Sequence, residues 1–334
     1  MATERPEKSR RRIGLVLSAG GSVGHAFHSG VLAAIARATG WDPRTAGIIV
    51  GTSAGSLVAA VLRAGLPAPD LAARLLGEPL SEEGRRMAER LGPAHVFPSW
   101  SAARPRRGMA SAPLLRRGLL RPGSVRLGAL VAAALPPGRV SLAPVSEAVR
   151  RAFGSGWPRQ PTWVCAVDLD GGRRVVFGSE GAPRASLADA VAASCAIPAY
   201  FEPVVIEGRR YVDGGVRSVT NLDLVAGRGL DLVIVSSSMT ASPRSLAGSL
   251  DMPIRAASRA RLAREAAAVR RTGTEVLIFE PIAADLPAMG VNLMDARRSR
   301  AVVSQAMNST SRRLERDDLG PRLRRLLLSP EDEL

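Results

Sequence analysis

Short apolar runs alternate along this chain with glycine turns and helix-spaced residues. Ile13–Leu17 is apolar throughout and ends in Ser18-Ala19-Gly20-Gly21, the pattern of a buried strand entering a glycine turn. Over 25–39, Val31, Leu32, Ile35 and Ala38 share one helical face, and Gly40 suits the helix end. A second apolar run, 47–50, leads at once into Gly51-Thr52-Ser53-Ala54-Gly55, and an alanine-rich helix then continues to Ala64, where Gly65 and Pro67 stop it. Strand, turn and helix, twice over, predict a parallel α/β beginning.

Signals weaken between Gly65 and Pro161, where Gly, Pro and Arg are dense and short helices and loops are expected, arranged as a cap over the site. Strands are expected again at 162–167 and 174–177, joined through the turn Asp168-Leu169-Asp170-Gly171-Gly172. A helix over 187–195 stops before Pro198. Strands follow at 204–206 and 210–212, then at 232–235 and 276–279, with an Arg-rich helix over 254–271 between the last two and a final helix over 319–328. No internal repeat or low-complexity linker divides the chain, so one domain is the simplest organisation. The expected organisation is a flexible basic N-terminus over 1–12, the domain over 13–315, with about 66–160 as a variable cap-like region, and a C-terminal tail over 316–334.

Hydrophobic residues make up 46% of the 334, enough for a sizeable core. No apolar run approaches the roughly 20 residues of a membrane-spanning helix, and the polar start is followed by no stretch of signal-peptide type. The expected location is cytoplasmic, with peripheral contact at the inner membrane face. Cys165 and Cys195 form neither a disulfide nor a metal pattern, and no metal or cofactor is expected. The net charge of +16 admits two readings, attraction to anionic lipid head groups or a compositional preference, since Lys8 is the only lysine among many arginines. Few aromatics and no nucleic-acid motif argue against a nucleic-acid partner.

The pentapeptide around Ser53 has the G-x-S-x-G form of a nucleophile elbow in its strand–turn–helix context, with Gly51 and Gly55 leaving room for a tight turn. An ordinary glycine-rich βα turn is the bland alternative. The loop Ser18 to Gly24 would lie beside that elbow in a parallel sheet, and the N–H groups of Gly20 and Gly21 are candidates to hold an oxyanion. A dinucleotide loop fits poorly, because Ala19 stands where G-x-G-x-x-G needs glycine. The three histidines, His25, His28 and His95, all precede residue 96, so the chain order Ser, acid, His of an α/β-hydrolase triad is excluded. His28 falls inside the first helix, where a buried, satisfied imidazole is the ordinary role. A carboxylate can take the serine proton instead. The candidate is Asp213, in Tyr211-Val212-Asp213-Gly214-Gly215, where a solvated D-G turn is an equal alternative. Asp168 and Asp170 sit in a hairpin-like setting that favours the structural role.

Taken in order, four stretches resemble the patatin-like phospholipase family: Gly20-Gly21 with Gly24 and His28-Ser29-Gly30-Val31-Leu32; Gly51-Thr52-Ser53-Ala54-Gly55; Ala193-Ser194-Cys195-Ala196-Ile197-Pro198; and Tyr211-Val212-Asp213-Gly214-Gly215. The resemblance covers roughly residues 13–235, and the segment from Glu280-Pro281 to Asn292-Leu293-Met294-Asp295 also looks like bacterial members. It implies a three-layer α/β/α sandwich with a mostly parallel central sheet. It also implies a serine hydrolase of phospholipid, lysophospholipid or other acyl esters working through a Ser-Asp dyad without metal, with Ser53 as nucleophile, Asp213 as base, and Gly20 and Gly21 in the oxyanion hole. The chain departs from the family at Ala19, often glycine there, and at Gly24, where an arginine is common. A catalytically silent lipid-binding or regulatory protein on the same fold is the rival reading. Membrane contact is suggested by 105–126, where arginines mix with Met109, Leu114, Leu115, Leu119 and Leu120; a solvated cap segment fits the same pattern.

Overall fold

A computed structural model describes residues 12–95, 97–98, 106–121, 123–242, 251–316 and 319–327. The expectations for 1–11, Pro105 and Leu328 onward lie outside the described residues. The strands are β1 (Ile13–Leu17), β2 (Ile48–Thr52), β3 (Thr162–Asp168), β4 (Arg174–Phe177), β5 (Val204–Ile206), β6 (Arg209–Asp213), β7 (Leu232–Ser236) and β8 (Glu275–Phe279). They form one mixed sheet in the order β5-β6-β3-β2-β1-β7-β8, and β4 pairs with β3 off this path. The five strands from β3 through β8 in that order run parallel, whereas β4 and β6 are antiparallel to β3.

The helices are α1 (Gly21–Thr39), α2 (Ala54–Arg63), α3 (Ala68–Leu76), α4 (Glu82–Leu91), α5 (Ala112–Leu120), α6 (Leu127–Ala134), α7 (Ala143–Phe153), α8 (Leu187–Cys195), α9 (Met252–Arg270), α10 (Leu286–Met289), α11 (Ser299–Glu315) and α12 (Leu319–Leu327). Side chains alternate across the sheet. Leu15, Leu17, Ile49, Val164 and Ile234 enter the main core with α1, α2, α8 and α11. Val16, Val50, Trp163, Val233 and Val235 face Leu222, Val225 and, from α9, Leu262, Ala266 and Val269. Because both faces are covered, the strands read as unbroken apolar runs rather than alternating ones. This is the three-layer α/β/α sandwich that the resemblance implies.

Three boundaries differ from the sequence reading. The first helix begins at Gly21 rather than His25, so the glycine loop is itself the helix's first turn. Of the expected cap, α3 and α7 belong to the main body, because Leu71, Ala72 and Leu75 of α3 and Val145 and Val149 of α7 are part of the main core. Within 106–135, Leu114, Ala129 and Ala133 instead form a small cluster of their own against Val216. The expected tail contains α12, whose Leu323 and Leu327 pack into the main core. Among the described residues no helix is long and apolar enough to cross a membrane.

No helix is read from the sequence over 299–315, yet α11 is the element against which α1 packs most extensively. Gly30 lies directly against the α11 backbone. A Cβ there would lie 2.7 Å from the Val303 carbonyl oxygen and 2.9 Å from the Ala306 Cβ. Gly30→Ala gains helix propensity, about 0.5–1 kcal/mol, but overpacks a backbone contact at a cost of roughly 1–3 kcal/mol. The expected net result is a Tm lowered by several degrees in thermal unfolding. An unchanged or raised Tm would mean that α1 and α11 are not in contact here.

Candidate active site

The site grows out of one edge of β3. β2 pairs with it in parallel up to Thr52 opposite Cys165. β4 pairs antiparallel with residues 164–167 of β3 and so occupies the opposite edge. β6 pairs with residues 166–168, beginning with Asp213 opposite Ala166. It overlaps β4 in register and must therefore share the edge that β2 uses. Had β2 continued one residue, Ser53 would have faced Ala166. The chain turns away at Ser53 instead, and β6 delivers Asp213 to that same position. Two residues 160 apart in sequence thus meet through sheet register alone.

The turn at Ser53 is strained. Its backbone sits at φ 52° and ψ −121°, a conformation that a residue with a Cβ rarely adopts and that typically costs about 1–3 kcal/mol. Surrounding bonds hold it. The Ser53 N–H donates to Ser194 Oγ at 2.8 Å, and Ser194 Oγ–H donates to the Cys165 carbonyl at 2.6 Å. Ser56 Oγ–H donates to the Ser53 carbonyl at 2.6 Å. Asn221 Nδ2 donates to Thr52 Oγ1 at 3.1 Å. Gly55 brings α2 against β1: its N–H donates to the Ser18 carbonyl at 3.1 Å, and any Cβ would lie 2.2 Å from the Leu17 carbonyl oxygen. Gly51 lies against the backbone of Ser56 in the same turn.

Asp213 ends β6. Its N–H donates to the Ala196 carbonyl at 2.9 Å, and the Gly215 N–H folds back to its Oδ1 at 2.7 Å. Ser53 is 2% exposed and Asp213 5%, so the pair is nearly closed to water. Burial pushes the Asp213 carboxyl up to about 6, against the opposing pull of the Ser53 hydroxyl and the Gly215 amide. Gly214 packs against the Cys165 carbonyl, and Gly215 lies beside Ala19.

The third wall is the Ala19–Gly21 turn. Among the described residues the N–H groups of Gly20, Gly21 and Ser22 donate to no protein acceptor, while that of Val23 reaches the Leu293 carbonyl at 3.0 Å. They lie at the start of α1, where unpaired amides and the helix dipole favour negative charge. Gly24 packs on Gly20 and under Ser238, in the space an arginine would need.

Several determinants carry no functional cue in the sequence. His28 is buried, donates through Nε2 to the Ser18 carbonyl at 2.8 Å, and so accepts at Nδ1 from Ser236 Oγ at 2.7 Å. Burial lowers its pKa to about 4, so it is neutral. It is the satisfied core histidine expected, but the carbonyl it holds also receives Gly55, which ties the glycine turn to the elbow. Ser194 and the Leu293–Met294 backbone are signalled only by the family-like stretches around them. His25, lowered to about 3 by burial, lines a small apolar crevice with Leu57, Val61 and Phe153. Asp168 caps its own turn through the Asp170 and Gly171 amides, and Asp170 pairs with Arg210, so neither carboxylate belongs to the site. Cys195 is free and buried near Ser56, and burial raises its thiol out of the reactive range. Among the described residues no group of three His, Cys, Asp or Glu side chains is arranged to hold a metal ion.

Residues 15–226 match the profile of the patatin-like phospholipases. Among solved structures, the chain is similar to VipD from Legionella pneumophila, with a TM-score of 0.42 and 14% identity over 91% of this chain and 67% of that one. It is also similar to the type III effector protein ExoU, with a TM-score of 0.35 and 18% identity over 92% of this chain and 54% of that one. The chain therefore spans about two thirds of the first and about half of the second.

A raised carboxylate pKa is a stability cost with a definite pH window. The Asp213 carboxyl titrates near 6 when folded, against 3.8 for an ordinary aspartate. Folding therefore disfavours the ionised form, fully above about pH 6 and not at all below about pH 4. At 1.36 kcal/mol per unit the cost is up to about 3 kcal/mol. Asp213→Asn keeps the acceptor for Gly215 and removes the charge. It is expected to raise Tm at pH 7.5 and to match the wild type near pH 4. A variant less stable than the wild type at pH 7.5 would contradict the assigned burial.

Proposed function

Because this chain belongs to the patatin-like phospholipase family, we propose that it cleaves the acyl esters of phospholipids or lysophospholipids with Ser53 as nucleophile and Asp213 as its single base. As Ser53 Oγ attacks the ester carbonyl carbon, its proton passes to Asp213. The Gly20 and Gly21 amides receive the oxyanion, an interaction whose loss typically costs about 3 kcal/mol. Collapse breaks the bond to the glycerol or alcohol oxygen, which leaves with the proton held on Asp213, and the acyl group stays on Ser53. Asp213 then removes a proton from water, the resulting hydroxide attacks the acyl-enzyme, and the fatty acid departs as the proton returns to Ser53.

The observation that supports this reading is the register at Ala166: β2 breaks off one residue short of it, at the Ser53 turn, and the buried Asp213 of β6 pairs with it on that same edge. The carboxyl's pKa supports it as well. A base near 6 is ionised at neutral pH yet far more basic than an ordinary aspartate, which favours proton uptake. The neutral, fully engaged His28 leaves the sheet's C-terminal edge without a competing imidazole base.

Hydrolysis of a soluble chromogenic ester tests the assignment. Ser53→Ala is expected to fold normally and to lose turnover by at least a thousandfold, whereas retained turnover in the folded variant would refute the nucleophile. Below about pH 6 the wild-type kcat/KM is expected to fall about tenfold per pH unit as Asp213 takes up its proton. His28, near 4, and His25, near 3, do not titrate in that window. A profile flat down to pH 5 would exclude Asp213 as the base.

A further inference from the structure

We infer that the α5–α6 hairpin is a docking element for an anionic lipid bilayer and that it seats the site on that surface. Its tip carries Leu119, Leu127 and Leu120, which are 81%, 76% and 70% exposed, the three highest values among the exposed large apolar residues described. Val131, one turn beyond Leu127, and Leu135 continue the stripe. α6 is apolar on its inner face too, where Ala129 and Ala133 pack with Leu114 and Val216. A helix apolar on all sides is stable where something covers it, and on the outer face of α6 Leu127 and Val131 are 76% and 50% exposed.

Charge selects the occupant. No Asp or Glu occurs between Glu89 and Glu147, while arginines recur through the stretch. A compositional preference for arginine explains their number but not the complete exclusion of acids. Arg116, Arg121 and Arg126 flank the leucine tip and make no ion pair among the described residues. Leucines ringed by unpaired arginines match an interfacial segment, whose apolar groups enter the acyl boundary while its cations meet anionic head groups. An acidic protein would satisfy the arginines but leave the leucine tip without a matching apolar layer.

Placement ties the surface to the site. The backbone of Gly128 in α6 lies directly on the Val216 carbonyl, where a Cβ would come within 2.2 Å. Val216 ends the short 3₁₀ turn Gly214–Val216, which begins immediately after Asp213. The hairpin therefore rests on the loop that holds the carboxylate. A bilayer contacting the tip lies against the same edge of the molecule as that loop. This role for the hairpin rests on the lipid-hydrolase reading, whereas its binding to a bilayer does not.

Co-sedimentation with phosphatidylcholine vesicles, with and without phosphatidylserine, tests the inference. The wild type is expected to sediment with the anionic vesicles and only weakly with the neutral ones. Leu119→Ser/Leu120→Ser/Leu127→Ser is expected to reduce that binding at least tenfold and to reduce vesicle phospholipid hydrolysis with it. Turnover of a soluble ester and Tm should be unchanged, as expected for exposed positions. Arg116→Glu/Arg121→Glu/Arg126→Glu should abolish the preference for anionic vesicles, since each arginine at such a surface contributes roughly fivefold. Variants that sediment like the wild type would overturn the inference, as would a wild type with no anionic preference. A concentration-dependent dimer that the leucine variants abolish, without vesicle binding, would assign the tip to a second copy of this chain instead. Vesicle binding without any ester turnover would leave the docking surface standing and remove the hydrolase reading.

Discussion

One edge of β3 is shared by two strands, and the rest of the site depends on how they divide it. A parallel strand leaves that edge at Thr52 and an antiparallel strand enters it at Asp213. A one-residue slip in either ladder would move the serine or the carboxylate off the common position and turn alternate side chains to the opposite face. The buried sequences of both strands resist such a slip. Ile49 faces the main core and Ile48 and Val50 the second core, while Tyr211 and Val212 lie on opposite faces of β6.

The strained serine and the desolvated carboxylate are each unfavourable by themselves, so the surroundings must over-determine them. The Ser18 carbonyl does much of this. It accepts from His28 and from Gly55, which joins the end of β1, the interior of α1 and the start of α2 in one bonded group. The Ser194 hydroxyl makes a second link, from the Ser53 amide to the β3 backbone. Ser238 makes a third: its hydroxyl donates to the Ala19 carbonyl at 2.8 Å and its N–H to Ser18 Oγ at 2.9 Å. These contacts leave little room for the elbow to relax.

Most of the strands and the elbow were legible from residue pattern, because buried parallel strands are short apolar runs and the turns between them need glycine. From residue pattern Asp213 stands only as a candidate, and its pairing with Ser53 as a dyad is what the family resemblance implies. From local pattern, Asp213-Gly214 reads equally as a surface turn, because nothing within a few residues records that β6 enters a sheet edge beside a strand 160 positions earlier. α11 escaped the reading for a different reason. Its buried residues, Val302, Val303, Ala306 and Leu314, are few among serines and arginines, and its packing is written in α1, at Gly30, rather than in its own sequence. The expected cap was too broad because α3 and α7 bury their apolar faces in the main core, and no composition signal separates them from α5 and α6.

The central claim is that a hydroxyl and a carboxylate brought together by register act as one chemical unit, and covalent labelling tests it most directly. Intact-mass analysis after exposure to a fluorophosphonate is expected to give a single adduct on the wild type, mapped to Ser53. In folded Asp213→Asn the same adduct should form far more slowly. Labelling of Asp213→Asn at the wild-type rate, or an adduct on another residue, would contradict the account.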